Sequence, residues 1–167
     1  MNKRMIFTDG SVNTRSNIGY GACLVISDPD TPLDILKTLI TVKRFENTSS
    51  TRLELQTLLW ALDGLHRSDF KVIIYTDSQT IMGLPERRLG LEKNAYLSKK
   101  NKPLSHGDLY QEFFKRMDMM DWELIKVKGH NPSNRKDNID RIFTLVDRAS
   151  RTALRENNET ALFPADR

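Results

Sequence analysis

Apolar and polar positions along this chain follow two different periods, and the change from one to the other marks out its elements. Met5-Ile6-Phe7 runs into Thr8-Asp9-Gly10-Ser11, and Val72-Ile73-Ile74-Tyr75 runs into Thr76-Asp77-Ser78. Short continuous apolar runs of this kind read as buried strands, and each of these two ends in an aspartate at its carboxyl end, the usual place for ligand sites in sheets flanked by helices. The polar stretch from Val12 to Asn17 leads into a second strand, Gly19 to Ile26, through a hairpin. Asp28-Pro29-Asp30-Thr31-Pro32 turns the chain, and the β-branched segment from Ile35 to Phe45 predicts a third strand, so the chain opens as an antiparallel meander.

Helical spacing takes over afterwards. Leu55, Leu58, Leu59, Leu62 and Leu65 predict a helix from near Thr51 to around His66, and Thr51-Arg52-Leu53-Glu54 fits a capping box at its start. Strand four is Val72 to Thr76. A short helix is expected from Gln79, ending near Gly83-Leu84-Pro85. Asp108 can cap a helix that carries Leu109, Phe113, Met117 and Met120 on one face, and Trp122 to Val127 supplies a fifth strand. The last helix carries Ile139, Ile142, Phe143, Val146, Ala149 and Ala153. The sum is an α/β fold, a five-stranded mixed sheet whose first three strands are antiparallel, flanked by helices. Residues 1–155 form one domain, and 156–167 read as a polar, frayed tail.

Composition narrows the function classes. The 167 residues suffice for one self-sufficient core. The single cysteine, Cys23, excludes an internal disulfide and suits a reducing compartment, no Cys/His zinc spacing exists, and the apolar run behind the basic N-terminus is far too short for a secretion signal or a membrane span. A cytoplasmic, monomeric protein without membrane attachment is expected. The net charge of +4 and the sequence pI near 9.2 favour polyanionic partners only modestly.

The candidate chemistry lies in four acidic residues, Asp9, Glu54, Asp77 and Asp147. Asp9 or Asp77 alone would be an ordinary turn residue. Two aspartates at the ends of separate buried strands, with no basic residue close by in sequence, repel each other unless a cation joins them. Glu54 shares a helix face with Leu58, Ala61 and Leu65, which aims its carboxylate at the core edge as well. A phosphatase reading of Asp9 fails because Ser11 stands where a second aspartate is needed.

Thr8-Asp9-Gly10-Ser11, Gly19-Tyr20-Gly21-Ala22, Thr51-Arg52-Leu53-Glu54-Leu55, Tyr75-Thr76-Asp77-Ser78-Gln79, Val127-Lys128-Gly129-His130 and Asp147-Arg148-Ala149-Ser150-Arg151 together resemble the type 1 ribonuclease H family, in the family's order and over nearly the whole chain. The resemblance implies the RNase H-like fold and hydrolysis of the RNA strand of an RNA/DNA hybrid with two Mg2+ ions, or Mn2+, to leave 5′-phosphate and 3′-hydroxyl ends. It implies that Asp9 bridges the ions, that Glu54 and Asp77 complete the first, that Asp147 serves the second, and that His130 carries a proton. In-line cleavage of this kind uses two ions about 3.5–4 Å apart, and hard oxygen ligands suit them. For the fourth carboxylate the familiar spacing selects Asp140, whereas the small Ser150, three residues beyond Asp147, favours Asp147; the bulky Phe143 stands three beyond Asp140. Asp147 is preferred, and Asp140 stays as the alternative on the same helical face.

Ser11, Ser50, Thr51, Arg52, Gln79 and Lys128 match positions that resemble the family's hybrid-contacting residues, where hydroxyl and amide donors read ribose 2′-hydroxyls. Ser50 and Thr51 replace asparagines common in the family. Residues 86–102 hold Arg87, Arg88, Lys93, Lys99, Lys100 and Lys102 against Glu86 and Glu92, where many ribonucleases H carry a basic protrusion that grips the DNA strand. Phosphate contacts without base reading are expected there.

Overall fold

Strand β1 (Asn2–Asn13) lies at the centre of one mixed sheet, antiparallel to β2 (Ile18–Ile26) on one side and parallel to β4 (Phe70–Thr76) on the other. The edges are β3 (Thr41–Phe45), antiparallel to β2, and β5 (Trp122–Lys126), parallel to β4, which gives the order β3-β2-β1-β4-β5. Five strands and an antiparallel opening meander are as expected. The computed structural model describes residues 2–65, 69–128 and 137–162.

Successive side chains of a strand point to opposite faces, so the apolar runs of β1 and β4 feed two separate cores. Ile6 and Ile74 pack with Leu55, Leu58 and Phe113 beneath α2 (Ser50–Asp63), α3 (Gln79–Lys93) and α4 (Gly107–Met117). Phe7 and Tyr75, paired in register and stacked with centroids 4.7 Å apart, join Leu24, Ile142, Phe143 and Val146 beneath α5 (Asn138–Leu162). Full burial of each large apolar side chain contributes about 1.5–3 kcal/mol, so both faces hold β1 and β4 rigid up to their carboxyl ends.

Glycines set how close α2 comes to the sheet. A Cβ on Gly21 would stand 2.1 Å from Thr57 Oγ1, and on Gly10 or Gly19 it would stand 2.8 or 2.7 Å from Leu53 Cδ2. Gly10 and Gly21 are register partners across β1 and β2. Their missing side chains let the first turns of α2 sink against the strand that carries Asp9. The Gly-Tyr-Gly run is thus a packing feature.

Several element boundaries differ from the sequence expectation. The segment read as one strand from Ile35 is a helix, α1 (Leu33–Leu39), followed by the short β3; only Leu36 of α1 is buried. Pro32 sits at the N-cap of α1, where a fixed φ and a missing N–H are tolerated. Helix α3 does not stop at Pro85 but continues to Lys93, because Ile81, Leu84 and Leu91 bury one face of it. Helix α2 is capped by Ser49, whose hydroxyl accepts from the Arg52 N–H at 3.3 Å; the capping box proposed for Thr51 and Glu54 does not form, and α2 ends at Asp63. Helix α4 begins at Gly107 with no side-chain cap, and Asp108 lies in its first turn with its carboxylate on Arg52. Helix α5 runs to Leu162, so the expected tail is helical from residue 156 to that point.

Candidate active site

β1 and β4 are parallel neighbours whose pairing ends at Phe7 with Tyr75, after which β1 runs on to Asn13 against β2. Asp9, two residues beyond Phe7, and Asp77, two beyond Tyr75, therefore share one edge of the sheet. Glu54 enters from α2, and Thr8, Asp9, Glu54, Thr57, Thr76 and Asp77 line one narrow crevice. Asp147 arrives from the opposite face on α5, and its carboxyl comes within hydrogen-bonding reach of that of Asp9.

Two carboxyl groups can share a hydrogen bond only if one of them keeps a proton. Burial foremost, then the bond to Asp147 and the charges of Asp77 and Asp147, push the Asp9 carboxyl from 3.8 up to about 8, against a lowering contribution from the Gly10 N–H. Glu54 is also raised, chiefly by burial and further by the Asp77 charge, while the Ser78 hydroxyl opposes the shift by donating to Glu54 Oε2 at 2.6 Å. Ser78 has a second role: its Oγ accepts from the Ile81 N–H at 3.2 Å and so caps α3. Sequence reasoning passed over Ser78, although a serine immediately before a helix is a recognisable cap signal.

Asp147 and Asp140 occupy different surroundings. Asp147 accepts from Arg151 Nε at 2.8 Å, one helical turn on. The fully buried Ser150 donates to the Asp147 carbonyl at 2.9 Å and lies 3.1 Å from Ser11 Oγ, so its small side chain lets α5 rest on β1 beside Asp9. Asp140 takes part in a cap at the start of α5: Asp140 Oδ2 accepts from the Asp137 N–H at 3.3 Å, and Asp137 Oδ1 accepts from the Asp140 N–H at 2.8 Å. Phe143 is buried in the core.

The other expected site residues are distributed along the same rim. Ser11 is turned toward Ser150, Ser50 and Thr51 open α2, and Arg52 makes a bidentate pair with Asp108 at 3.3 and 2.9 Å. Gln79 opens α3, where its Oε1 accepts from Lys126 Nζ, a partner not anticipated from sequence. Lys128 is exposed just beyond β5, and His130 lies outside the described residues. In the basic segment Arg88 is held by Asp118 and Glu92, while Lys93, Lys99, Lys100 and Lys102 are exposed.

Oxygen donors make up the whole candidate set, and the charges of Asp77 and Asp147 crowd the buried Asp9 carboxyl in a way a cation would relieve, so these residues fit a hard divalent ion. Among the described residues no three His, Cys, Asp or Glu side chains already enclose a metal site. Magnesium tolerates such an open arrangement, since it keeps several waters and commonly takes one or two carboxylates plus substrate phosphates.

Comparison with known proteins agrees with this architecture. The model of the RNase H family matches residues 1–152. Similar proteins include the ribonuclease H of Ruthia magnifica subsp. Calyptogena magnifica, 27% identical over 154 residues that make up 87% of this chain and 96% of the relative. Another is the ribonuclease H of Caldanaerobacter subterraneus subsp. tengcongensis, 29% identical over 146 residues, 83% of this chain and 87% of the relative. Among solved structures, a foamy viral protease-reverse transcriptase in complex with dsDNA superposes with a TM-score of 0.65 at 16% identity, covering 90% of this chain and 96% of that one; at that identity the likeness concerns the fold. The chain belongs to the RNase H family of nucleases. No described helix is long and apolar enough to cross a membrane.

Proposed function

We propose that this protein is a divalent-metal-dependent endonuclease that hydrolyses the RNA strand of RNA/DNA hybrids, leaving 5′-phosphate and 3′-hydroxyl ends, with Asp9, Glu54, Asp77 and Asp147 as its metal ligands. The observation that carries this reading is the gathering of Asp9, Glu54 and Asp77 around one crevice, with Asp147, 138 positions from Asp9, adding its charge to the buried Asp9 carboxyl from α5. Two Mg2+ ions, or Mn2+, would be held by Asp9, Glu54, Asp77 and Asp147. When bound, such ions supply an activated water and charge stabilisation for the leaving oxygen.

The chain's own residues prepare that place. Ser78 holds Glu54 in one rotamer by donating to it, and Arg151 does the same for Asp147. Phe7 and Tyr75, two residues before Asp9 and Asp77 on their strands, stack as a buried pair and fix the backbone that delivers both aspartates. His130 would carry a proton for the leaving group, so that its loss slows the enzyme without abolishing turnover. Ser50, Thr51, Arg52, Gln79 and Lys128 would contact the hybrid, with 2′-hydroxyls in the shallow minor groove as the feature that separates RNA from DNA. The exposed lysines between 93 and 102 would meet phosphates and make binding weaken as salt rises.

Incubation with an end-labelled hybrid, duplex RNA and duplex DNA, with and without Mg2+, tests the reading. Metal-dependent cutting confined to the RNA strand of the hybrid is expected, with products that a ligase requiring 5′-phosphate and 3′-hydroxyl ends can rejoin. Cutting of duplex DNA, or binding without turnover, would overturn it.

A further inference from the structure

Lys126 ends β5 in register with Thr76, so it leaves the sheet beside the strand that leads to Asp77. Its ammonium donates to Oε1 of Gln79, the first residue of α3 and two positions beyond Asp77. Both side chains are exposed on the rim of the carboxylate site. A primary amide offers an acceptor at one end and donors at the other, and in isolation either end can face a ligand. An ammonium has donors only, so it fixes the choice: the Gln79 oxygen is turned to Lys126 and the Nε2 group is left for whatever occupies the site.

We propose that Lys126 is a positioning residue that sets the polarity of the Gln79 amide, so that Gln79 presents N–H donors to acceptors on the minor-groove side of a bound hybrid. Purine N3, pyrimidine O2 and the ribose 2′-oxygen are acceptors on that side, and a glutamine turned the other way would oppose oxygen to oxygen. The inference rests on the hybrid-cleavage reading and adds to it a residue that acts through Gln79 rather than by touching the nucleic acid.

A double-mutant cycle tests it, with hybrid affinity measured by fluorescence anisotropy in EDTA and with steady-state kinetics in Mg2+. Lys126→Met is expected to weaken binding and raise KM by about 3- to 10-fold, the loss of roughly one oriented hydrogen bond, while kcat stays within about 2-fold. Lys126→Arg restores both. In a Gln79→Ala background Lys126→Met has no further effect, and the dependence of affinity on salt is the same with and without Lys126. Three results would overturn the proposal: no effect of Lys126→Met, additive effects of the two substitutions, or a salt slope lowered by about one ion, which is the mark of a direct phosphate contact. If the parent protein neither binds nor cuts hybrid in preference to duplex DNA, the cleavage reading itself fails. Additive effects in an active enzyme remove only the role given to Lys126.

Discussion

Replacing Asp9 by Asn should make the metal-free protein more stable, and the gain should grow with pH. The folded-state pKa of Asp9 is about 8, against 3.8 for an unstrained aspartate. Between those values the folded chain holds a proton that the unfolded chain has released. Stability therefore falls as pH rises through that window and levels off above it. Each unit corresponds to about 1.4 kcal/mol, so the undiscounted penalty is about 1.6 kcal/mol at pH 5 and about 5.5 kcal/mol at pH 8, where folded Asp9 is half ionised. Relaxation and solvent access to the crevice reduce this to roughly 1 and 3 kcal/mol. An asparagine carries no charge to bury, and its amide can still donate to Asp147. Urea denaturation of parent and Asp9→Asn in EDTA, from pH 5 to pH 8, is the assay. The variant should gain about 3 kcal/mol at pH 8, a rise in Tm on the order of 6–12 °C for a chain of this size, and about a third of that at pH 5. Added Mg2+ should narrow the gap by stabilising the parent alone. A variant no more stable than the parent at pH 8, or a gain independent of pH, would refute the reasoning.

Further outcomes follow from the packing. Gly21→Ala places a methyl group against Thr57, so stability should drop by about 1–3 kcal/mol in denaturant titrations, with hybrid cleavage falling as Glu54 moves with α2; Thr57→Ala should recover part of the loss. Ser78→Ala removes both the α3 cap and the donor to Glu54, which should cost about 1 kcal/mol in thermal melts and raise the acid limb of the pH–rate profile, since the Ser78 bond now holds the Glu54 pKa down. Asp140→Asn should cleave hybrid at nearly the parent rate while Asp147→Asn loses activity by orders of magnitude in Mg2+; the reverse pattern would make Asp140 the fourth ligand.

The parts of this molecule that could be read from sequence are those governed by strong local patterns. Apolar runs ending at Asp9 and Asp77 read as buried strands, and the parallel pairing that the structure adds puts both aspartates on one edge. Ser150 was singled out for its size, and it is buried against β1 with Ser11 as its neighbour. What was not legible depended on tertiary context. The β-branched residues between Ile35 and Ile40 suggested strand, but the chain there forms a seven-residue helix that starts after Pro32 and buries Leu36. Pro85 suggested a stop, yet the burial of Leu84 and Leu91 outweighs one missing hydrogen bond. Ser49, Ser50 and Thr51 are three consecutive residues able to cap a helix, and Ser49 takes the role where Leu53 seats against Gly10 and Gly19. The Lys126 contact with Gln79 joins residues 47 positions apart and leaves no mark in either one's neighbours.

Manganese is detectable by its anomalous scattering, and a crystal of Asp140→Asn protein grown with Mn2+ and a hybrid duplex would test the central claim most directly. Two anomalous peaks are expected at the edge formed by β1 and β4, with Asp9 touching both, Glu54 and Asp77 on one and Asp147 on the other, against the RNA strand. Metal bound elsewhere, or ions at this edge that leave Asp147 unligated, would contradict it.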